Sequence, residues 1–308
     1  MYNNDIKIRY IEEKMATTSM PKGYLKRQFD KIEVFEKRLN KDVCDFTKYE
    51  IIDLYKTLNM SSIGSLVVLN SHLALYVQWC LQQNLVFDCQ NHFSEINNTI
   101  LASCINTIVT QNSIITREVL FEWLIKFRNP SDAFIMLALF EGISGKEYCE
   151  IAQLKMSDFD GNRVKLCTGR ELDVSPELLS LAEQSNETKI YYSNSGDGKK
   201  TMPLLNEDLI VKGYPNIQTD DVFQQSRRIY NRVKRNFDAL GVSKYMKPKS
   251  IIESGKIDYI NSRCKKLGIT AEEFISTKEY TDEFKYRFEF DVSRNKAMFI
   301  RKYGEYLV

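Results

Sequence analysis

The chain has 308 residues, 43% hydrophobic and 12% aromatic, so it can bury more than one core, and its length favours two domains over one. The formal net charge of +2 does not decide whether nucleic acid is a partner, because the distribution of charge matters more than its total. Seven scattered cysteines without a Cys-x-x-Cys pair, and only two histidines, argue against a disulfide framework and a zinc site. We therefore expect reduced thiols, no metal and no cofactor.

No opening segment combines a basic start with an apolar stretch, and no run of about 18 apolar residues is present. This pattern predicts a cytoplasmic protein.

The N-terminal region, residues 1–95, has the pattern of a small helical bundle. A basic amphipathic stretch runs from Tyr24 to Leu39. Thr47 and Glu50 have capping-box spacing before a short helix, and Ser61-Ser62 opens a longer helix that ends near Asn84. Residues 96–113 are rich in Asn, Thr and Ser and predict a linker, although Ile100 to Val109 has the composition of a connecting helix.

Residues 114–308 predict a second domain that is mainly helical with a small β insertion. Helices are expected from Thr116 to Phe127 and from Asn129-Pro130 onward. A hairpin is expected at Gly161-Asn162, and a further helix starts at Ser175-Pro176. The segment 191–200 predicts a loop or a second hairpin, and the chain is predominantly helical from Asp220.

Two stretches carry an excess of positive charge. Between Lys22 and Lys41 seven cations outweigh three carboxylates, and between Val222 and Ser250 eight cations face Asp238 alone. Such stretches suit duplex DNA, but a solvated helix face is an equally weighted alternative at this stage.

The segment from Phe134 to Asp160 resembles the first signature box of tyrosine recombinases, which include the phage integrases. Glu150-Ile151-Ala152-Gln153-Leu154 and Met156-Ser157-Asp158-Phe159-Asp160 match its tail. The arginine of that box is missing, because counting from either end places Ser144 or Glu147 at its position.

The other catalytic positions of the resemblance are also altered. Cys167 stands where the hairpin lysine precedes Thr-Gly, with Lys165 nearby. The second box, His-x-x-Arg-His-Ser-Gly, corresponds to the segment from Lys249 to Gly255, with Ile252 in place of arginine and Glu253 in place of histidine. Tyr303 stands where the nucleophile is expected, with Arg294 near the last histidine position, although an ordinary helical tyrosine is the favoured alternative.

Strand cleavage in that family requires cations that neutralise the attacked phosphodiester, and two such arginines are missing here. Within this superfamily the chain resembles the master lysogeny repressors of SPβ-type phages. The segments that carry this resemblance are residues 142–148, 250–256 and 301–306. It implies a core-binding-like N-terminal domain, a degenerate catalytic-like C-terminal domain, no enzymatic activity, and a nucleoid-associated transcriptional repressor that binds operators in the prophage. A second copy of the chain, in a homo-oligomer, and an accessory phage protein are left open as further partners.

On this hypothesis the contacts to DNA divide by chemistry. Phosphate contacts are assigned to Lys22, Lys26, Arg27, Arg227, Arg228, Arg232, Lys244, Lys247 and Lys249. Base reading is assigned to Ser62, Ser65 and Asn70, for which capping and solvent-facing roles are equally weighted.

Two other functional classes are weighed against the repressor. In an active recombinase, Lys146, Lys165, Lys249 and Arg294 would rebuild a cationic pocket around Tyr303. A helical protein–protein adaptor would show no salt-dependent affinity for duplex DNA. The operator, the inducing signal and the domain that reads bases are not indicated by the sequence.

Overall fold

The computed structural model of the chain describes residues 1–15, 23–60, 62–86, 90–105, 112–193, 200–215 and 221–308. The chain divides into two compact units, an N-terminal unit of residues 1–111 and a C-terminal unit of residues 112–308. Described residues of both units are mainly helical, and the short strands lie in the C-terminal unit, so the predicted fold class is confirmed.

The N-terminal unit is built from helices around one apolar core. Its helices are α1 (Asn4–Met15), α2 (Tyr24–Leu39), α3 (Lys48–Thr57), α4 (Ile63–Gln82) and α5 (Asn98–Ser103), with 3-10 turns at Val43–Asp45 and His92–Glu95. The capping box predicted at Thr47 is formed, because the Thr47 hydroxyl accepts from the Glu50 amide and the Glu50 carboxylate accepts from the Thr47 amide. The core of this unit includes Phe29, Leu54 and Tyr76.

Helix α4 contains no charged residue and is long and apolar enough, by length and composition alone, to cross a membrane. The expectation that no run of about 18 consecutive apolar residues is present still holds, because polar residues such as Asn70, Ser71 and Gln78 interrupt this helix. Its Leu66, Leu69, Leu73 and Val77 side chains are buried in the core of the N-terminal unit, as in the central helix of a globular domain.

A buried ionic triad joins α1 to α2. The ammonium of Lys7, which is fully buried, bonds to the Glu36 carboxylate and lies 3.5 Å from Asp42. Glu36 also accepts from the Val43 amide at 2.9 Å. Burial has the largest effect on the pKa of Glu36 and raises it; Lys7 lowers the pKa and the nearby Asp42 raises it, and the net result is a pKa of about 7.

We expect this carboxyl group to make the stability of the N-terminal unit dependent on pH. Because the folded pKa lies above the unfolded value near 4.5, protonated Glu36 is favoured by the folded state, and its contribution is lost as pH rises from 4.5 through 7. Relative to Glu36→Gln, the free energy of unfolding should fall by up to ~3 kcal/mol across that window and stay level above it.

Urea unfolding at several pH values measures this difference. In a Trp123→Phe background, fluorescence of Trp79 reports on the N-terminal unit alone, since Trp79 lies in its core. A difference that stays constant between pH 5 and 8 would show that Lys7 keeps Glu36 ionised throughout.

The described residues of the C-terminal unit form nine helices and two small antiparallel sheets. The helices are α6 (Arg117–Leu124), α7 (Pro130–Phe140), α8 (Cys149–Ala152), α9 (Pro176–Glu187), α10 (Val222–Ala239), α11 (Pro248–Leu267), α12 (Ala271–Ser276), α13 (Lys278–Phe288) and α14 (Lys296–Tyr303). Short 3-10 turns lie at Lys146–Tyr148, Met156–Asp158 and Gly304–Tyr306.

The strands form two antiparallel sheets. The first has the order β1 (Phe159–Asp160), β2 (Arg163–Lys165) and β3 (Glu171–Asp173), so the hairpin predicted at Gly161-Asn162 is confirmed. The second pairs β4 (Ile190–Tyr192) with β5 (Thr201–Pro203). Of the two alternatives for residues 191–200, the hairpin is therefore the one observed, and residues 194–199 lie outside the described part.

The centre of this unit is the crossing of α7 and α11. All ten residues from Ser131 to Phe140 are buried, and Pro130 begins the helix as predicted. Gly255 of α11 lies so close to the Phe140 carbonyl that a Cβ at this position would stand 1.8 Å from its oxygen. Glycine is thus required where the helices touch, and this contact fixes the face of α11 that carries Glu253.

Candidate nucleic-acid interface

Tyr303 ends α14 and is buried, with 3% of its surface exposed. Its ring packs on Phe299, with centroids 5.0 Å apart, and its hydroxyl accepts a hydrogen bond from the Lys302 ammonium at 2.6 Å. Burial raises the pKa of Tyr303, and the Glu253 carboxylate beside it raises the pKa further. A phenol held in this way supplies very little phenolate at neutral pH.

The charged groups around Tyr303 come mainly from α11. Glu253 forms an ion pair of 3.1 Å with Lys256, whose ammonium lies 4.0 Å from the centre of the Phe290 ring. Both side chains are buried, and burial lowers the pKa of Lys256 while Glu253 raises it. We call Tyr303, Lys302, Glu253 and Lys256 the Tyr303 cluster.

Two further cations that the sequence analysis names, Lys249 and Arg294, differ in their surroundings. Lys249 is exposed at the start of α11, and its charge lowers the pKa of both Lys302 and Lys256, after the larger effect of burial. Arg294 is instead 82% exposed and pairs with Asp291 at 3.4 Å. Among the described residues, no arginine is found in contact with Tyr303.

Residues 144–148, where the resemblance to tyrosine recombinases expects the first-box arginine, form a tight turn. Gly145, Glu147 and Tyr148 all have positive φ, and the Ser144 amide donates to Glu150 at 2.9 Å. Glu147 is exposed. Neither Ser144 nor Glu147 supplies a cation, as the sequence predicts.

An arginine that the sequence analysis did not single out lies buried beneath this turn. Arg170 bonds to the Glu150 carboxylate through Nε at 2.9 Å, and its other nitrogens donate to the carbonyls of Gly142 and Tyr286 at 3.2 and 2.9 Å. Only 7% of Arg170 is exposed. All of these donors are used inside the protein, where Arg170 joins the β2–β3 turn to α8 and α13. None of the named donors is left for a phosphate.

The structure corrects the assignment of Arg232. This side chain is 1% exposed, donates to the Ser131 hydroxyl at 3.0 Å, and lies over the Tyr191 ring at 4.5 Å. Asp132 lies close enough to raise the pKa of Arg232. Arg232 therefore holds α10 against α7 and β4, and the prediction that it contacts phosphate is wrong.

The other cations predicted in this unit lie at its surface. Arg227, Lys244, Lys247 and Lys249 are exposed, and Arg228 is half-buried. Tyr230, 45% exposed, and the exposed residues Asn231 and Lys234 also lie on α10, with Arg227 and Lys234 two turns apart on one face. We call Arg227, Tyr230, Asn231 and Lys234 the α10 face.

In the N-terminal unit the predicted residues fall into three groups. Lys26 and Arg27 are exposed on α2, and Lys22 lies outside the described residues. Ser62 and Ser65 are exposed at the start of α4. Asn70, by contrast, accepts from the Tyr55 hydroxyl at 2.8 Å and donates to the Phe93 carbonyl at 3.2 Å, so its amide braces the unit internally and is not available for base reading.

Comparison with known proteins supplies a family. Residues 114–303 match the family described as "MrpR, C-terminal catalytic domain", and residues 1–82 match "MrpR, N-terminal core-binding domain". An SPbeta prophage-derived uncharacterized protein, YopR of Bacillus subtilis (strain 168), is 25% identical over 269 residues, which cover 83% of this chain and 81% of that protein.

Two solved structures are more distantly similar. Lambda integrase (residues 75–356) bound to DNA is 12% identical, with a TM-score of 0.46 and coverage of 91% of this chain and 95% of that one. XerA recombinase is 11% identical, with a TM-score of 0.37 and coverage of 96% and 92%.

Proposed function

The chain belongs to the MrpR family, and we propose that it is a cytoplasmic transcriptional repressor that binds duplex DNA sequence-specifically and does not cleave it. The relative from the SPbeta prophage supports a role in a temperate phage, where binding of operators would maintain lysogeny. The observation that carries the proposal is the Tyr303 cluster.

Cleavage by a tyrosine requires that the phenol lose its proton and that positive groups take up the charge developing on the phosphate. In the Tyr303 cluster the nearest anionic partner of the phenol is the Glu253 carboxylate, which disfavours both steps. A carboxylate in this place repels the phosphate, and the charge of Lys256 is partly neutralised by pairing with it.

Binding itself needs only surface cations, which the C-terminal unit retains. Arg227, Lys234, Lys244, Lys247 and Lys249 are exposed, and each phosphate that such a group neutralises releases condensed counterions. The α10 face adds an amide and an aromatic hydroxyl to its two cations, which suits contact with base edges as well as phosphates.

The proposal is tested in two steps. Genome-wide footprinting in the host identifies bound sequences, and a nicked suicide duplex that contains one of them is then incubated with the protein. We expect a gel shift without a covalent adduct, and unchanged affinity, within about twofold, for Tyr303→Phe.

An adduct that accumulates with the wild type and is absent from Tyr303→Phe would instead establish an active recombinase. Failure to bind duplex DNA at any salt concentration would leave a protein–protein adaptor as the remaining class. A cleaving recombinase on its own core site serves as the positive control for adduct detection.

A further inference from the structure

Two cysteines in the C-terminal unit differ from the other cysteines of the described residues in being open to solvent. Cys167 is exposed and Cys149 is half-buried. The other four of the described residues are buried: Cys44, Cys80, Cys104 and Cys264.

These two thiols are neighbours in space. Cys149 begins α8, Cys167 lies in the turn between β2 and β3, and Cys149 is close enough to raise the pKa of the Cys167 thiol. The residues that follow them are also joined, since the Thr168 hydroxyl donates to the Glu150 carboxylate at 2.5 Å. The pairing of the thiols is therefore held by contacts on the adjoining residues.

The two segments that carry the thiols have defined positions. The β2–β3 turn is closed by the Gly169 amide, which donates to the Leu166 carbonyl at 2.8 Å, and Arg170 anchors its far side to Glu150. On the other side, a Cβ at Gly145 would stand 2.7 Å from the Cys149 sulfur, so this sulfur rests directly on the glycine backbone. Both thiols are therefore carried by segments that hydrogen bonds and packing hold in place beside Glu150.

We propose that Cys149 and Cys167 are a modification site, at which a hydroperoxide converts the two thiols into a reversible intramolecular disulfide. One thiolate attacks a peroxide oxygen and the O–O bond breaks, which gives a sulfenic acid and hydroxide; the hydroxide takes up the proton that the thiol had lost and becomes the first water. The second thiol then attacks that sulfur, the S–S bond forms, and the sulfenic oxygen leaves as a second water. Two thiols are oxidised and one peroxide is reduced.

The surroundings distinguish the two roles. Burial, followed by the adjacent Cys149 and Glu150, raises the pKa of Cys167 to about 11. Cys167 therefore keeps its proton at neutral pH and is the resolving thiol, while Cys149 is the one oxidised first.

The site has a defined structural consequence. A disulfide would link the β2–β3 turn to α8 beside the Glu150–Arg170 pair. Cys167 stands where the resemblance to recombinases places the hairpin lysine. Closing this loop should raise the unfolding temperature of the C-terminal unit by about 5 °C, an increase that a reductant reverses. Formation of this disulfide does not depend on the proposed function, because it is detected as a covalent link between two peptides and not through DNA binding.

The test is peptide mapping by mass spectrometry without reduction, after treatment of the full chain with hydrogen peroxide. We expect one linked pair of peptides that contain Cys149 and Cys167, lost on reduction and absent from Cys149→Ser and Cys167→Ser. Cys44 and Cys80, which also contact each other but lie in the core of the N-terminal unit, are the internal control and should remain thiols.

Conversion of Cys149 to sulfinic acid without a linked peptide would overturn the proposal. So would a disulfide that joins Cys149 or Cys167 to a different cysteine of the chain. Since serine is nearly isosteric and both positions reach solvent, circular dichroism should show that the variants fold as the wild type does.

Discussion

Replacing Arg227 and Lys234 with alanine should weaken binding of duplex DNA about 30-fold at 0.15 M salt and reduce the slope of log K against log salt by about 1.8. Both side chains are exposed on the α10 face, and no ion pair is found for either within the described residues. Each is therefore available to neutralise one phosphate. The measurement is a fluorescence-anisotropy titration at four salt concentrations.

The matched control removes two positive charges from the same unit. Lys285 and Arg294 are exposed, and both pair with Asp291, at 3.1 and 3.4 Å. Lys285→Ala/Arg294→Ala has the same net charge as the first variant, so it separates a local contact from a general effect of charge. Equal losses for the two variants would remove the α10 face from the interface.

The second large effect concerns stability and not binding. Arg170→Ala should lower the free energy of unfolding of the C-terminal unit by ~3–5 kcal/mol, because it leaves the Glu150 carboxylate buried without its cation. It also leaves the carbonyls of Gly142 and Tyr286 without a donor. Chemical denaturation followed by Trp123 fluorescence in a Trp79→Phe background measures the loss.

The control for Arg170→Ala is an exposed arginine of the β1–β2–β3 sheet. Arg163 pairs with Glu171 at 2.8 Å across β2 and β3, but its side chain is 63% exposed, so Arg163→Ala should cost less than ~1 kcal/mol. A double variant, Arg170→Met/Glu150→Met, removes both charges and should recover part of the stability lost by Arg170→Ala. A loss for Arg170→Ala no larger than that for Arg163→Ala would contradict the structural role of the buried pair.

Local chemistry made several elements predictable from the sequence. The reciprocal hydrogen bonds of Thr47 and Glu50, the proline at the start of α7 and the Gly161-Asn162 turn depend on neighbours within a few residues, and each is found in the structure. The first helix, α1, was not predicted. It is held by the Lys7 triad, and the partners of Lys7 lie 29 and 35 positions away along the chain.

The errors concern side chains whose partners are distant in sequence. Arg232 was grouped with Arg227 and Arg228 by charge alone. Its spacing from Ile229 and Val233, both buried, places it on the inward face of α10, and that periodicity was the signal that could have identified it. Asn70 gave no comparable signal, because Tyr55 and Phe93 approach it only after the bundle has formed.

The Glu253 carboxylate beside Tyr303 also bears on how such a protein could change over generations. Restoring one guanidinium would leave an acidic side chain against the phenol, and replacing that acid alone would leave the phosphate without its clamps. Several coding changes would have to coincide before the protein could nick a chromosome. If the chain is the proposed repressor, a single mutation in its gene is therefore insufficient to restore DNA cleavage. This protects the host chromosome, and the prophage within it, from strand breaks.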